Sequence, residues 1–213
     1  MKTVAVLGLG RFGRSVAEAL MEGGAEVMAV DSDHELVEEL SDKVTYAMIA
    51  DLRDMEDIKS LGISNMDVVV VAMAESLEAS IMSIMTAKEL GVPKVIAKAA
   101  NKATADIFRK VGADSIIFPE DETGKRTAHT ILSSTFLEFF DVSDSLCIIE
   151  MLPKESWVGK SLKELDLRRK YGANVIAVKE QGETTPVFDP DRPLSKDTPI
   201  LVLVNKKDVK RLS

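Results

Sequence analysis

Six residues near the N-terminus, Gly8-Leu9-Gly10-Arg11-Phe12-Gly13, carry the spacing G-x-G-x-x-G directly after the apolar run Thr3 to Leu7 and directly before a helical pattern. In that place each glycine serves a bound pyrophosphate differently. The first permits a tight turn, the second lets the backbone approach the phosphates, and the third lets helix pack closely on strand. The helix opening there offers unpaired N–H groups and a partial positive charge to an anion. Arg11 adds a guanidinium at the same end, suited to a charge-assisted contact. The competing reading is a glycine-rich turn of structural origin. Asp31 closes the next apolar run, Glu26 to Val30, where a carboxylate accepts hydrogen bonds from ribose hydroxyls. A second anion about 4 Å away, such as a 2′-phosphate, would cost about 4 kcal/mol at an effective dielectric of about 20, so adenosine nucleotides or NAD are favoured over NADP. Alternatively, Asp31 or Asp33 only caps the following helix.

Further candidates sit where later apolar runs end. Asp51, in Ile49-Ala50-Asp51-Leu52, lies where an adenine ring would rest in this kind of fold and offers a carboxylate to its amino group; it also reads as a solvated loop acid. Ala72-Met73-Ala74-Glu75 closes a fourth run with small residues that leave room for a nucleotide. Lys98 and Glu120 end the fifth and sixth, Lys98 placed for a phosphate and Glu120 for a metal on it or for a second subunit's nucleotide, and either also reads as a surface charge. Catalytic chemistry is thinly represented. The two histidines, His34 and His129, stand on helical patterns, neither where a catalytic residue would be placed, and there is no Tyr-x-x-x-Lys or C-x-x-C spacing. Gly159-Lys160-Ser161 imitates the end of a P-loop without its upstream glycine or a preceding strand, and reads as a helix start. A binding and signalling protein is expected rather than an enzyme. The alternatives are an NAD-dependent oxidoreductase, a nucleotide hydrolase, or a stand-alone NAD(H) sensor.

The elements that position these residues form a βαβ rhythm over the first 120 residues. Six strands are expected: Thr3 to Leu7, Glu26 to Val30, Thr45 to Ile49, Asp67 to Ala72, Lys94 to Ala97 and Ser115 to Phe118. Helical patterns begin near Arg11, Asp33, Asp54, Ser76 and Asn101, and glycines follow several of them. Runs such as Val68 to Val71 suit a sheet covered on both faces, so the fold class is α/β, a Rossmann-like doubly wound parallel sheet. From Thr123 to Phe140 the pattern predicts one long helix with Ile131, Leu132, Phe136, Phe139 and Phe140 along one side, packed either on its own sheet or against another subunit. Beyond Asp144 come short strands at Leu146 to Met151, Ala173 to Val178 and Ile200 to Val204, a short helix near Lys160 to Leu165, and a Pro- and Asp-rich loop. The expected division is therefore a nucleotide-binding domain with its crossover helix at 1–140 and a small α+β lobe at 141–213. A net charge of −8 without a basic cluster argues against nucleic acid as a partner. The single cysteine, Cys147, reads as core and fits a reducing compartment. The apolar N-terminal run breaks at Gly8 without a cleavage site, so a cytoplasmic protein is expected, with any membrane role coming through a partner.

Taken together, Val6-Leu-Gly-Leu-Gly-Arg-Phe-Gly13, Ala-Val-Asp31, Asp67-Val-Val-Val-Val-Ala72, Gly112-Ala-Asp and Pro119-Glu120 resemble the RCK domain (regulator of K+ conductance) of the Ktr/Trk potassium-uptake regulators. The likeness continues through Gly159 to Arg168, Tyr171 to Val178 and Leu194 to Val204, and so covers essentially the whole chain. The resemblance implies a cytoplasmic subunit on the inner face of the membrane that forms homodimers and then a ring, an octamer, and gates a membrane potassium translocator. It implies ATP, ADP or NAD(H) bound by Gly8, Leu9, Gly10, Arg11, Phe12, Gly13, Asp31, Asp51, Leu52, Ala72, Met73, Ala74 and Lys98, with Glu120 as a divalent-metal or inter-subunit residue. It further implies cyclic di-AMP in the C-terminal lobe, at Arg168, Asn174 and Val175, although Arg168 also reads as the helical partner of Glu164. Related regulators often carry glycine at Ala74 and asparagine at Asp51.

Overall fold

Successive residues of the N-terminal strands alternate between two separate hydrophobic cores, the signature of a sheet covered on both faces. The computed structural model describes residues 1–73, 76–180 and 182–212. Its strands β1 (Thr3–Leu7), β2 (Glu26–Asp31), β3 (Tyr46–Ile49), β4 (Val68–Val71), β5 (Lys94–Lys98) and β6 (Ser115–Ile117) form a parallel sheet in the order β3-β2-β1-β4-β5-β6. Val4, Val6, Val27, Ala29 and Val70 pack on one side with Leu9, Ala17 and Leu40. Ala5, Leu7, Met28, Val30, Val69 and Val71 pack on the other with Ile58, Ile84 and Phe108. The strand order reverses between β1 and β4, and ligands of open α/β sheets bind outside the carboxyl ends at such a point.

The helices of this half start where capping residues allow. Gly10 precedes α1 (Arg11–Glu22). Asp33, Asp54, Ser76 and Asn101 each accept a backbone N–H of the first turn of α2 (His34–Glu38), α3 (Met55–Ser60), α4 (Leu77–Glu89) and α5 (Lys102–Val111). Gly112 ends α5 at φ +117°, a left-handed conformation that suits glycine.

The chain divides into two compact units, Met1–Glu120 and Asp121–Ser213. The second holds an antiparallel sheet, β10-β9-β11-β8-β7, built from β7 (Phe136–Asp141), β8 (Leu146–Met151), β9 (Asn174–Glu180), β10 (Glu183–Thr185) and β11 (Ile200–Asn205). Its core gathers Phe136, Phe139, Cys147, Ile149, Met151, Trp157, Leu165 and Val202 around the two short helices α7 (Leu162–Leu165) and α8 (Leu167–Tyr171). Cys147 is fully buried, and burial pushes its thiol up to about 11. Ser161 and Glu164 form a reciprocal capping box at the start of α7, the physical content of the helix start at Gly159-Lys160-Ser161.

The long helix expected over 123–140 is corrected here. Helix α6 runs from Pro119 to Leu132, Ser133-Ser134-Thr135 interrupts it, and the phenylalanines belong to β7, paired antiparallel with β8. Phe136 and Phe139 face the core and Phe140 is 42% exposed, an arrangement produced by a register shift between Phe136 and Glu138. A boundary after residue 140 would separate β7 from β8, the strand that satisfies its backbone; the units part after Glu120 instead. Helix α6 itself buries no residue, and Ile131 and Leu132 are 78% and 81% exposed.

Candidate functional site

The glycine loop is shaped by close approach. Gly8 adopts φ +95° and its N–H donates to the Val30 carbonyl at 2.8 Å, while a Cβ at Gly8 would meet Met73 Cγ at 2.5 Å. At Gly13 a Cβ would stand 1.9 Å from the Gly8 carbonyl oxygen and 3.2 Å from Ala72 Cβ, so helix α1 can lie against the loop only with glycine there. A Cβ at Gly10 would meet nothing of the protein within 4 Å. No described residue accepts from the N–H groups of Gly10, Arg11, Phe12 or Gly13, which leaves a set of unpaired donors at the carboxyl edge of the sheet. Among the described residues the Arg11 guanidinium has no carboxylate partner either.

Asp31 does more than close β2. Its Oδ2 accepts the Leu9 N–H at 2.6 Å and its Oδ1 accepts the Asp33 N–H at 3.0 Å. Asp33, not Asp31, is the cap of α2. The Leu9 side chain is buried in the core and its N–H is taken by Asp31, so of the expected loop contacts Leu9 offers the least to a phosphate. Each carboxylate oxygen has two acceptor sites, and the two contacts leave room for ribose hydroxyls.

Asp51 follows β3, and its two oxygens are gripped by Arg53: Nε to Oδ1 at 2.9 Å, Nη2 to Oδ2 at 2.7 Å, with the Arg53 N–H also donating to Oδ1 at 3.0 Å. That side-chain fork, reinforced by the backbone bond, holds the carboxyl at about 2. Arg53 was not legible as a site residue; an arginine two positions after a turn aspartate is its one sequence signal. Lys98, largely buried, donates from Nζ to Glu120 Oε1 at 2.6 Å and lies 5.6 Å from the centre of the Phe12 ring. The two residues expected to serve a phosphate and a metal thus serve each other, and the Lys98 hydrogen bond lowers the Glu120 carboxyl. Among the described residues no group of three or more His, Cys, Asp or Glu side chains is placed to hold a metal ion. Ala72 and Met73 lie beneath the glycine loop, and Ala74 falls outside the described residues.

In the second unit, Arg168 is exposed on α8, and Asn174 and Val175 begin β9 just beyond it, with the Ala173 N–H returning to the Leu167 carbonyl at 3.3 Å. The expected Arg168–Glu164 pair is corrected. The helix breaks at Asp166, φ +47°, which removes the i,i+4 spacing, and Glu164 is held by Ser161.

Four carboxylates of the first unit are held below their ordinary range: Asp51 by Arg53, Glu120 by Lys98, Asp67 by the Thr3 N–H and Asp114 by the Val95 N–H. A folded value below the unfolded one gives stability that is complete above the unfolded value and is lost as pH falls towards the folded one. Urea midpoints should therefore be insensitive to these groups from pH 8 to about pH 5 and fall below about pH 4, where unfolded carboxylates titrate. A midpoint unchanged down to about pH 3 would contradict the assignment.

A six-stranded parallel sheet with unpaired N–H groups at its carboxyl edge, followed by a small antiparallel sheet, defines a two-unit protein of the Rossmann-like doubly wound class. The TrkA-N domain family matches residues 4–119 and the TrkA-C domain family residues 148–213. The chain is 41% identical over 182 residues to Ktr system potassium uptake protein C of Bacillus subtilis (strain 168), covering 85% of this chain and 82% of that protein. To Ktr system potassium uptake protein A of the same organism it is 35% identical over 210 residues, covering 99% and 95%. The crystal structure of the GsuK RCK domain superposes with a TM-score of 0.68 at 17% identity, over 99% of this chain and 46% of that one. The chain belongs to the TrkA-N and TrkA-C family of Ktr-type potassium uptake proteins.

Proposed function

We propose that this chain is the cytoplasmic, nucleotide-binding regulatory subunit of a membrane potassium translocator, and that it performs no chemistry on its ligand. The observation that carries the reading is the cradle: unpaired N–H groups at residues 10–13 beside Asp31, in a chain whose relatives are potassium uptake proteins. ATP, ADP or NAD(H) would place phosphates on those donors and Arg11, and ribose on Asp31. Lys98 and Glu120, already paired, would open to a nucleotide phosphate and a divalent cation together. Cyclic di-AMP at Arg168, Asn174 and Val175 is the second ligand of this reading. No helix of the described residues is long and apolar enough to cross a membrane; the translocator enters this reading as a partner.

Regulation requires that the ligand favour one assembly state over another. Calorimetric titration with ATP, ADP, NADH and cyclic di-AMP, and small-angle scattering of each complex with and without vesicles carrying the translocator, test this directly. Identical scattering and identical membrane binding in every ligand state would leave the reading without a mechanism, and NADH oxidation would then be assayed. Asp31→Ala should weaken ATP and NADH by about 1 to 3 kcal/mol, the range for losing a charged hydrogen-bond partner. Unchanged affinity for both would remove Asp31 from the site.

Helix α6 supports the homo-oligomeric ring, with an octamer as the finer expectation, because a helix that buries none of its own residues and ends on exposed Ile131 and Leu132 needs a second surface. The variant Ile131→Asp with Leu132→Asp should remain folded and fall to a smaller mass in light scattering. An undiminished mass would place the subunit contact elsewhere.

A further inference from the structure

We infer that a basic face of the second unit, formed where α8 meets the 3-10 turn Lys206–Arg211, docks on the anionic lipid headgroups of the leaflet that holds the translocator. The inference deepens the regulatory reading above and rests on it for one premise, that the chain works beside a membrane. Its starting point is where the charge lies. The net charge of −8 falls wholly in Met1–Glu120, and Asp121–Ser213 carries as many bases as acids. Within that balanced unit the bases are gathered rather than spread.

The cluster is scattered along the chain, at 154, 169–170 and 207–211, and the fold brings it to one place. Arg211 Nη2 donates to the Lys170 carbonyl at 3.0 Å, and Lys154 Nζ donates to the Arg211 carbonyl at 3.0 Å. Lys154 is seated 5.6 Å from the ring centres of both Trp157 and Tyr171. Around this joint Arg169, Lys170, Lys207, Lys210 and Arg211 are all exposed. Asp166 pairs with Arg169 at 3.0 Å and Asp208 with Arg211 at 3.3 Å, which leaves an excess of positive charge. Leu167 and Leu212, at the outer ends of the two segments, are buried in the core of the unit, so the backbone beneath the cations is fixed. Arg168 adjoins the face but belongs to the cyclic di-AMP reading.

Such a face suits a surface of mobile anions. Each Lys or Arg held near an anionic leaflet raises partition about fivefold, and about four to eight of them together make a lipid contact. Lipids diffuse to meet the cations, so no fixed pattern of acceptors is required. Neither α8 nor the turn Lys206–Arg211 exposes a large apolar side chain, so the contact is electrostatic and nothing inserts between the acyl chains. Salt should therefore release it, since screening shortens to about 3 Å at about 1 M. Of the polyanions that these cations could attract, the leaflet is the one that a chain working beside a membrane always meets.

The test is co-sedimentation of the full chain, without nucleotide or translocator, with vesicles of phosphatidylcholine alone or with about one-third phosphatidylglycerol. The parent protein should bind the anionic vesicles, leave them at about 1 M salt, and ignore the neutral ones. Lys170→Gln with Lys207→Gln should cut partition about 25-fold, two steps of about fivefold. Lys59→Gln with Lys110→Gln makes the same change in net charge at exposed positions of the first unit, and should leave partition within about twofold. Circular dichroism of both double variants should match the parent. An equal loss in the two double variants, or equal binding of the parent to neutral and anionic vesicles, would overturn the inference. Binding only to vesicles that carry the translocator, whatever their lipid charge, would give the face to the partner protein, overturning the lipid contact and keeping the regulatory reading. Retention on a DNA duplex in place of anionic vesicles would overturn it in favour of nucleic acid. Failure to bind any nucleotide or any vesicle would remove the regulatory reading and the inference with it.

Discussion

Gly10→Val is expected to fold as the parent chain does and to lose affinity for ATP and NADH by at least about a hundredfold, because two charge-assisted hydrogen bonds at about 1.5 kcal/mol each account for that factor. The backbone at Gly10, φ −61° and ψ −179°, is one that valine adopts, and a Cβ there has nothing of the protein within 4 Å. A side chain there would enter space free of protein atoms beside the unpaired N–H groups of residues 10–13, which the proposed reading gives to the phosphates. The fold pays about 1 kcal/mol at most, since valine is a poorer residue than glycine at the start of a helix. Circular dichroism and titration on one preparation separate the two effects. A folded variant that binds with the parent's affinity would end the cradle reading. Gly13→Val should behave differently and fail to fold, because its Cβ would collide with the Gly8 carbonyl oxygen at 1.9 Å.

Phe136→Asp should unfold the second unit, whereas Phe140→Asp should leave it folded. Phe136 is 5% exposed and sits among Met151, Trp157 and Ile200, while Phe140 is 42% exposed on the same strand. Losing a buried phenylalanine costs about 3 to 5 kcal/mol in packing alone, and an unpaired buried charge adds to it. Against stabilities of about 5 to 15 kcal/mol for whole domains, a unit of this size does not survive that. Trp157, the single tryptophan of the chain and 2% exposed, reports the outcome through a red-shifted emission and a lost near-ultraviolet signal. Identical behaviour of the two variants would contradict the placement of these phenylalanines on opposite faces of β7.

That contrast also marks where the sequence stopped being legible. In the first unit local signals agreed with one another: Asp33, Asp54, Ser76 and Asn101 cap the helices they precede, and the Val-rich runs became buried parallel strands with ends shifted by a residue or so. Around residue 136 they conflicted. Phe136, Phe139 and Phe140 fit a helical stripe, and only a register shift in the strand lets Phe136 and Phe139 share a face. Helix α8 and strand β10 were missed because each is too short to show a period, at five and three residues. At the candidate site, the tight turn at Gly8 and the close helix packing at Gly13 were legible because the glycine spacing alone marks them. The partners were not. The Leu9 N–H on Asp31, the Arg53 fork on Asp51 and the Lys98–Glu120 pair depend on how turns and strand ends meet in space.

The bond from Leu9 N–H to Asp31 Oδ2 bears on how fast a ligand is captured. The loop is tied to Asp31 by a bond within the protein itself, so on the proposed reading its shape does not depend on the ligand and need not be ordered by it on arrival. In stopped-flow mixing, association should then be a single exponential whose rate rises in proportion to nucleotide concentration, with no plateau from a slow isomerisation. Asp31→Ala would release the loop as well as the ribose contact, and the plateau should emerge in that variant, so the same residue would set both how tightly and how promptly a nucleotide is taken up.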